Sequence, residues 1–379
     1  MIIVIADDIT GAAEMGGIAL RYGQKVIVSD DLNKNEETDV LVIYTNTRSM
    51  QKHQAVEVMR AITAKAYQRK PELFYKKTDS VLRGHVLAEM KAQMMALHLE
   101  KALLVPVNPS LGRVIKGGQY FLNGQLIHET SFSSDPEFPI LSSQIEEMLG
   151  EKDGPLQVVS KNDLSLPAGI TVGEAATDGE IAEWAKANNG NMLLAGGASF
   201  FNALLAEKFG PHPKVKKQQA PLSSPQVFVS GTNYGRNVKR IEVHSSIVSY
   251  MPAHIFSAAA EETITYDEWM DEAMQILEKE QKVIIAIDNR QNKKGDPVQL
   301  RERLGELVNL IFEKLDIGEL LIEGGSVAYS IIQKLGWKSF IPTEELGQGI
   351  VRMQVPGVKD VHLTIKPGSY EWPSQWGFN

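Results

Sequence analysis

The chain has 379 residues, a formal net charge of −8 at pH 7, and ordinary hydrophobic and charged fractions of 43% and 23%. This length is sufficient for two domains, each with its own core. The negative charge argues against a general nucleic-acid binder but not against an anionic small molecule, because local basic residues can dominate a cleft. The absence of cysteine excludes disulfides, thiolate metal sites and a cysteine nucleophile.

The first residues predict a location inside the cell. They run directly into an apolar strand and lack the basic segment and small-residue cleavage site of a secretory signal peptide. No apolar run is long enough to cross a bilayer. We therefore expect a cytoplasmic enzyme without a membrane or nucleic-acid partner. A homo-oligomer is compatible with this class, because metabolic α/β enzymes are commonly closed homo-oligomers.

An apolar strand followed by two acids opens the chain. Residues 2–6 are continuously apolar, as expected for a strand that is covered on both faces of a parallel sheet. Asp7 and Asp8 follow directly, and Thr10 and Gly11 then open a helix whose N-terminal amides suit an anion. Helix capping accounts for one of the two acids, whereas adjacent carboxylates are costly unless they bind something.

Strands and helices then alternate, which indicates βαβ units. The predicted strands are 25–29, 40–45, 73–77, 102–107, 156–159, 170–172 and 192–195, and the predicted helices are 12–22, 54–68, 86–99, 178–187 and 200–209. The predicted fold class is α/β, with two α/β/α domains and mainly parallel sheets.

The strand over residues 73–77 ends in a second polar turn, which contains Lys77, Asp79, Ser80, Arg83 and Gly84. Arginine binds a carboxylate or phosphate in bidentate fashion and lysine adds a point charge, so the turn suits a polar, anionic ligand. In open α/β sheets such ligands bind beyond the carboxyl ends of the strands. The structural alternative is that Asp79 or Ser80 caps the next helix and that Arg83 is a solvated surface residue.

One antiparallel hairpin is expected in the same half of the chain. Asn123-Gly124 between apolar pairs is a strong signal for a two-residue turn. Its position after the Gly112-Arg113 loop suits either a cover over the ligand site or an extension of the sheet edge.

A polar, proline-rich segment over residues 211–221 predicts a linker between an N-terminal domain, residues 1–212, and a C-terminal domain, residues 222–379. Strands of the second domain are expected at 226–229, 283–287, 320–322 and 361–365. Each ends in a turn: Ser230-Gly231-Thr232-Asn233-Tyr234-Gly235, Asp288-Asn289-Arg290, Glu323-Gly324-Gly325-Ser326 and Lys366-Pro367-Gly368-Ser369. Backbone amides in small-residue turns approach a phosphate closely. Any one of them is more often a plain βα turn, but four in one domain favour ligand binding.

Several common catalytic motifs are absent from the sequence. There is no Walker A pattern, and no G-x-G-x-x-G follows the first strand, so P-loop chemistry and a dinucleotide fingerprint are not expected. The eight histidines show no zinc-binding spacing, and His128 is expected to serve packing or hydrogen bonding. No residue is predicted as a metal ligand.

Three motifs in order give the chain a resemblance to a known family. Residues 6–12, ADDITGA, resemble the ADDLTGA opening of the four-carbon acid sugar kinases, and residues 77–84, KTDSVLRG, resemble the K-x-DSTLRG segment of that family. Residues 106–113, PVNPSLGR, are followed by Gly117-Gly118, Asn123-Gly124 and His128-Glu129-Thr130, and together they resemble the block P-A-x-P-x-x-GR…GG…NG…HET. The resemblance is strongest in the first 140 residues.

The resemblance implies an ATP-dependent kinase that phosphorylates the terminal hydroxyl of a four-carbon sugar acid, such as erythronate or threonate, to the 4-phosphate. It implies that the N-terminal domain binds the sugar acid, that the C-terminal domain binds ATP, and that the ligand cleft lies between the two domains. The implied substrate-side residues are Asp7, Asp8, Arg48, Lys77, Asp79, Arg83 and Gly84, where Arg48 comes from a segment similar to the T-x-SR motif of the family. The implied nucleotide-side residues are Ser230, Gly324, Gly325, Ser326 and Gly368.

Phosphoryl transfer requires mainly positioning and neutralisation of charge. Arg48, Lys77 or Arg83 would hold the substrate carboxylate, and helix N-termini with Mg²⁺ would neutralise the triphosphate. Asp8 or Asp79 would orient the terminal hydroxyl and take its proton. Both acids stay candidates for the base, with a preference for Asp8 because a second role is harder to find for it.

The nucleotide side departs from the family pattern. Ser326 and Val327 follow the Gly-Gly pair in place of Glu and Thr, and residues 367–371, PGSYE, stand in place of SGNFG. The turn after Val229 reads SGTNY in place of the SGS-C-S pattern. One alternative is therefore a sugar-acid binding or regulatory protein that has lost nucleotide chemistry. Another is a nicotinamide-dependent oxidoreductase, which the missing dinucleotide fingerprint disfavours.

Overall fold

The structure is a computed structural model that describes residues 1–32, 37–135, 137–150, 156–160, 166–188, 190–212, 220–231, 244–259, 262–288, 295–358 and 360–373. The chain divides into two compact units, Met1–Val215 and Lys216–Asn379. Most of the predicted linker, residues 213–219, lies outside the described residues, as do Thr232, Asn233 and Tyr234 of one predicted turn and Asn289 and Arg290 of another.

The N-terminal unit contains a parallel sheet with helices packed on it. Its strands are β1 (Ile2–Ala6), β2 (Val26–Ser29), β3 (Val40–Tyr44), β4 (Leu73–Lys77), β5 (Lys101–Val105), β6 (Arg113–Lys116), β7 (Gln119–Leu122), β8 (Gln125–Leu126), β9 (Leu156–Val159), β10 (Gly169–Gly173) and β11 (Leu193–Gly196). The main sheet has the order β2-β3-β1-β4-β11-β5-β10-β9, and its neighbouring strands are parallel.

The helices of this unit are α1 (Ile9–Arg21), α2 (Lys52–Tyr67), α3 (Val86–Leu97), α4 (Ile145–Leu149), α5 (Asp178–Lys186) and α6 (Ala198–Phe209). Short 3-10 turns occupy Thr47–Ser49, Pro109–Leu111, Ile127–Glu129 and Ser131–Ser134. α1 packs against α6, and α2 packs against α3. Because helices cover the sheet, every residue of β1 and β3 is buried, which explains why both strands are continuously apolar.

The predicted hairpin is confirmed. β7 and β8 are antiparallel and joined by Asn123 and Gly124, which both have positive φ, at 51° and 81°, as a type I′ turn requires. β6 pairs with β7 on the other side, so the hairpin belongs to a separate three-stranded antiparallel sheet.

The C-terminal unit has a mixed sheet. Its strands are β12 (Gln226–Ser230), β13 (Val248–Tyr250), β14 (Lys282–Ala286), β15 (Glu319–Glu323), β16 (Ser339–Gly347), β17 (Ile350–Gln354) and β18 (His362–Lys366). Their order is β13-β14-β12-β15-β18-β17-β16, and only the pairs that involve β17 are antiparallel within the described part of this unit. The helices are α7 (Ala253–Ser257), α8 (Asp267–Glu280), α9 (Pro297–Lys314) and α10 (Gly325–Lys334), and a 3-10 turn spans Ser245–Ile247.

The predicted α/β class with mainly parallel sheets is confirmed, and the differences from the prediction have physical reasons. The strand expected over 102–107 ends at Val105, because Pro106 has no amide hydrogen to continue the ladder. α1 begins at Ile9 and not at Ala12, because Asp8 caps it. The antiparallel pair of β16 and β17 was not predicted, because two register shifts interrupt the two-residue alternation. No helix among the described residues is long and apolar enough to span a bilayer.

Candidate active site

Three neighbouring strand ends bring the predicted acids and cations of the N-terminal unit together. β1 lies between β3 and β4, and Ala6 is in register with both Tyr44 and Lys77. The segments that follow these strands therefore meet at the carboxyl edge of the sheet. They supply the five residues that we call the acid–arginine cluster: Asp7, Asp8, Arg48, Asp79 and Arg83.

Arg48 joins the two acids that follow β1. Its Nε and Nη2 donate to the two oxygens of Asp7 at 2.8 and 2.9 Å, and its Nη1 donates to Oδ2 of Asp8 at 3.0 Å. The same Nη1 lies 3.7 Å from Oδ1 of Asp79. All three carboxylates are buried, so Arg48 links them at a place that is largely shielded from water.

Asp8 also begins a helix. Its Oδ1 accepts a hydrogen bond from the Gly11 amide at 2.9 Å, and its Oδ2 accepts one from the Thr10 hydroxyl at 2.5 Å. The capping interpretation therefore holds for Asp8, the N-cap of α1, while Asp7 is held by Arg48 instead. Gly11 lies so close that a Cβ there would be 2.7 Å from Oδ1 of Asp8.

Arg83 binds Asp79 in bidentate fashion. Its Nε and Nη2 donate to the two oxygens of Asp79 at 2.7 and 3.0 Å, and its Nη1 donates to Asp135 at 2.8 Å. The structural alternative for this turn is wrong, because the N-cap of α3 is His85 and only 21% of the Arg83 side chain is exposed.

Lys77 and Gly84 complete the predicted substrate side. The Lys77 side chain is buried, and its Nζ donates to the Thr78 carbonyl at 2.9 Å and lies 3.7 Å from Glu14. Gly84 has a φ of +87°, and a Cβ there would be 3.0 Å from Cγ of Arg48. Glycine at this position allows the chain to turn close beside Arg48, so its contribution is spatial.

The arginines of the cluster favour the ionised forms of Asp7 and Asp79. Burial raises the pKa of Asp7, but the positive charges of Arg48, Lys76 and Lys77 outweigh it and hold this pKa below its ordinary value. Burial likewise opposes ionisation of Asp79, yet Arg83 and Arg48 hold its pKa well below the ordinary range. The pKa values of both arginines are raised in return, because the carboxylates outweigh the effect of burial. Asp79 is therefore a poor proton acceptor.

The lowered pKa values of Asp7 and Asp79 predict a loss of stability in acid. An unfolded aspartate takes up its proton near pH 3.9, whereas the folded carboxylates resist protonation to lower pH. Their contribution is therefore complete above the unfolded pKa and is lost as the pH falls, so the free energy of unfolding should decrease from about pH 5 downward. Urea unfolding at several pH values measures it, and Asp79→Asn should show a shallower decrease. A free energy that is constant over this range would contradict the assignment.

Sequence reasoning missed residues that surround this cluster. Nη1 of Arg113 donates to the Ser80 hydroxyl at 2.6 Å, and the guanidinium groups of Arg83 and Arg113 lie 5.6 and 5.8 Å from the centre of the Phe132 ring. Arg113 stands in the third family-like motif, which was a usable signal. Asp135 lies outside every motif, and only its contact with Arg83 reveals it.

The predicted nucleotide-side residues of the C-terminal unit follow three neighbouring strands. Ser230 ends β12, Gly324 lies between β15 and α10, Gly325 begins α10, and Gly368 follows β18. β15 pairs with both β12 and β18, so these residues lie at one edge of the sheet. Gly324 has a φ of +102°, a conformation that favours glycine, and Ser326 lies in the first turn of α10.

The described residues offer small side chains and backbone amides for a phosphate group, but no resident metal site. Within the described ranges, no three His, Asp or Glu side chains are grouped so that they could hold a metal ion. No residue is therefore assigned to Mg²⁺, which stays a prediction as the companion of a nucleotide.

Comparisons with known proteins agree with the resemblance. The family described as "Sugar-binding N-terminal domain" matches residues 2–204, more than half of the chain. A D-threonate kinase of Salmonella typhimurium is 29% identical over 378 residues, which cover 89% of this chain and 87% of the relative. A 3-oxo-tetronate kinase of Actinobacillus succinogenes is 20% identical over 407 residues, covering 98% and 96%. The crystal structure of Haemophilus influenzae protein HI1011 shares the fold, with a TM-score of 0.71 at 17% identity over 99% of this chain and 98% of that one.

Proposed function

Because the chain belongs to the four-carbon acid sugar kinase family, we propose that it is an ATP-dependent kinase that phosphorylates the terminal hydroxyl of an erythronate- or threonate-type acid. The N-terminal unit binds the sugar acid in this proposal, and the C-terminal unit binds ATP with Mg²⁺, which neutralises charge on the triphosphate. The observation that carries the proposal is the acid–arginine cluster at the carboxyl edge of the N-terminal sheet.

The cluster suits a small polyhydroxy acid. Carboxylates accept hydrogen bonds from hydroxyl groups, while the cations attract the substrate carboxylate. The hydrogen bonds of Arg48 to Asp7 and Asp8 use three of the five N–H donors of a guanidinium group. Arg83 likewise spends three side-chain donors on Asp79 and Asp135. The acids thus orient both arginines. We assign binding of the substrate carboxylate to Arg48, Arg83 and Lys77.

Asp8 is the preferred general base. Asp79 is bound through both oxygens by Arg83, and its low pKa makes proton uptake unfavourable. Oδ2 of Asp8 accepts from the Thr10 hydroxyl, a group that can rotate and give way to a substrate hydroxyl. In this proposal Asp8 takes the proton of the terminal hydroxyl while the hydroxyl oxygen attacks the γ-phosphorus. The bond between the γ-phosphorus and the β–γ bridging oxygen breaks, and ADP leaves. Asp79 positions Arg83.

A panel of sugar acids tests the proposed function. Purified protein with MgATP is offered D- and L-erythronate, D- and L-threonate and 3-oxo-tetronates, and ADP release is measured. We expect release that depends on one of these acids and exceeds the rate without acid. If no acid stimulates ADP release while MgATP still binds in calorimetry, the four-carbon substrate class is wrong.

The second candidate is a sugar-acid binding or regulatory protein without phosphoryl transfer. Pro367 favours it, because proline removes one amide donor from the turn where the family pattern has serine. This candidate predicts calorimetric binding of a sugar acid together with no detectable binding of MgATP. A measurement of the affinity for MgATP therefore distinguishes the two candidate functions.

Gly11→Ala should uncouple activity from stability. Alanine is favoured over glycine in a helix by about 1 kcal/mol, but its Cβ would be 2.7 Å from Oδ1 of Asp8 and 3.2 Å from Nζ of Lys77. We therefore expect kcat/KM for the sugar acid to fall by roughly 10²-fold through displacement of Asp8, with little change in the melting temperature. Gly179→Ala is the matched control. Gly179 also lies in a helix, and the nearest atom to a Cβ there would be Oγ1 of Thr177, at 3.9 Å. Equal activity of the two variants would contradict the role of Asp8.

A further inference from the structure

Three ionisable or polar side chains end three adjacent strands of the C-terminal unit. Ser230, Glu323 and Lys366 are the last residues of β12, β15 and β18, and the strand register places them side by side. Their exposed fractions are 3%, 1% and 0%. The sequence placed Glu323 and Lys366 in predicted turns but predicted no role for either side chain.

These side chains form one continuous set of polar contacts, which we call the buried polar chain. The Ser230 hydroxyl donates to Oε2 of Glu323 at 3.0 Å, and Oε1 of Glu323 lies 2.5 Å from Nζ of Lys366. The same Nζ donates to the carbonyl oxygens of Pro367 at 2.9 Å and Tyr370 at 2.7 Å. The ammonium group thus binds both ends of the segment that contains Gly368.

The segment after β18 is also fixed from its other end. Trp372 is buried against Phe228, with ring centres 5.3 Å apart, and Nζ of Lys366 lies 5.8 Å from the centre of the Trp372 ring. The amide of Gly324 donates to the Lys366 carbonyl at 2.9 Å, which ties the turn after β15 to the same strand end. Lys366 therefore contacts each of the elements that set the position of Gly368 and Gly324.

An ion pair at this depth requires an explanation beyond stability. Removing two charges from water is costly, and apolar residues of similar size often stabilise a core equally well. An ammonium group, however, supplies three donors from one point, and here they serve one carboxylate and two backbone carbonyls. Because Lys366 is fully buried, its ammonium group acts on the backbone from inside the unit.

We infer that Lys366 and Glu323 are positioning residues of the nucleotide site, which hold Ser230, the Gly324 turn and the Gly368 turn in their places without contacting the nucleotide. This inference rests on the proposed function, since it assumes that these turns bind ATP. It also explains how the C-terminal unit can keep a nucleotide site although its motifs differ from the family pattern. The side chains that hold the turns in place lie at the strand ends beneath them.

Charge removal in two steps tests the inference. Lys366→Met removes the ammonium group that is bound to Oε1 of the buried Glu323, so the melting temperature should fall. In the double variant Lys366→Met/Glu323→Gln both charges are gone, and the melting temperature should recover towards that of the wild type. Both variants also lose the hydrogen bonds from Lys366 to the Pro367 and Tyr370 carbonyls, so the calorimetric Kd for MgATP should stay raised by about tenfold or more in both. The KM for the sugar acid at saturating MgATP should change far less.

A buried pair at the other end of the same strand is the matched control. Glu319 begins β15, is buried, and pairs with Arg352. Arg352→Met/Glu319→Gln removes this pair about 13 Å from Glu323, since a strand rises about 3.3 Å per residue. The Kd for MgATP should remain that of the wild type in this control.

The possible results separate the inference from the proposed function. The positioning role would be wrong if the double variant bound MgATP with the wild-type Kd. It would also be wrong if the Kd followed the melting temperature in all variants, including the control. Neither result would contradict the proposed kinase function. A wild-type protein that binds no MgATP would overturn both.

Discussion

In an Asp8→Asn variant we expect kcat to fall by roughly 10²- to 10⁴-fold, the usual contribution of a general base. Asparagine retains an oxygen that accepts from the Gly11 amide, so the cap of α1 and the stability of the N-terminal unit should be largely preserved. Arg48 stays bound to Asp7 through two hydrogen bonds, so the substrate carboxylate should still be held. The loss should therefore appear in kcat, with a small change in KM for the sugar acid.

Asp79→Asn is the matched comparison for that variant. Asp79 orients Arg83 by a bidentate contact, so its replacement should raise the KM for the sugar acid more than it lowers kcat. Steady-state kinetics on both variants decide between the two acids. Near-normal turnover of Asp8→Asn, with the large loss in Asp79→Asn, would transfer the role of base to Asp79.

We expect Arg48→Met to destabilise the protein by about 3–5 kcal/mol, because it removes the cation from buried carboxylates. Asp7 loses both of its bonds to the guanidinium, and Asp8 loses one. Without Arg48, burial should raise the pKa of Asp7, and protonation of this carboxyl should then relieve part of the cost. The difference in unfolding free energy between wild type and variant should therefore shrink as the pH is lowered, because the wild type loses stability in acid.

Two further variants make the Arg48 prediction specific. Arg48→Lys keeps the positive charge but not the planar fork that spans Asp7 and Asp8, so its stability should lie between that of wild type and Arg48→Met. Arg48→Met/Asp7→Asn also removes the Asp7 carboxylate that Arg48 no longer binds, so it should recover part of the lost stability. Urea unfolding at pH 7 measures all four proteins. Equal stability of Arg48→Met and wild type would show that the cluster is not held together by this cation.

The elements of the fold could be predicted where sequence periodicity is undisturbed. β4 has the predicted bounds, Leu73–Lys77, because an apolar and aromatic run leads into a turn of different chemistry. The hairpin at Asn123-Gly124 was predictable because few residues accept two successive positive φ angles. β16 and β17 were not, since their bulges and a strand that contains Pro342 do not give a regular alternation.

The composition of the candidate site was predictable, but its internal pairing was not. Residues directly after parallel strands are expected at one edge of the sheet, which is why Asp7 and Asp79 could be grouped in advance, while Arg48 was added by the family resemblance. The sequence does not say that Arg48 binds Asp7, 41 positions away, or that Arg83 binds Asp135, 52 positions away. The role of Glu323 was not predictable for a related reason: only the order and register of β12, β15 and β18 place it between Ser230 and Lys366.

Identification of the reaction product tests the central claim most directly. The protein is incubated with MgATP and the sugar acid that stimulates ADP release, and the product is examined by mass spectrometry and by phosphorus–proton correlation NMR. We expect the reaction to give one phosphorylated sugar acid per ADP, with phosphorus coupled to the two protons of the terminal methylene group. ADP accompanied only by inorganic phosphate, or phosphorus coupled to a single methine proton, would contradict phosphorylation of the terminal hydroxyl.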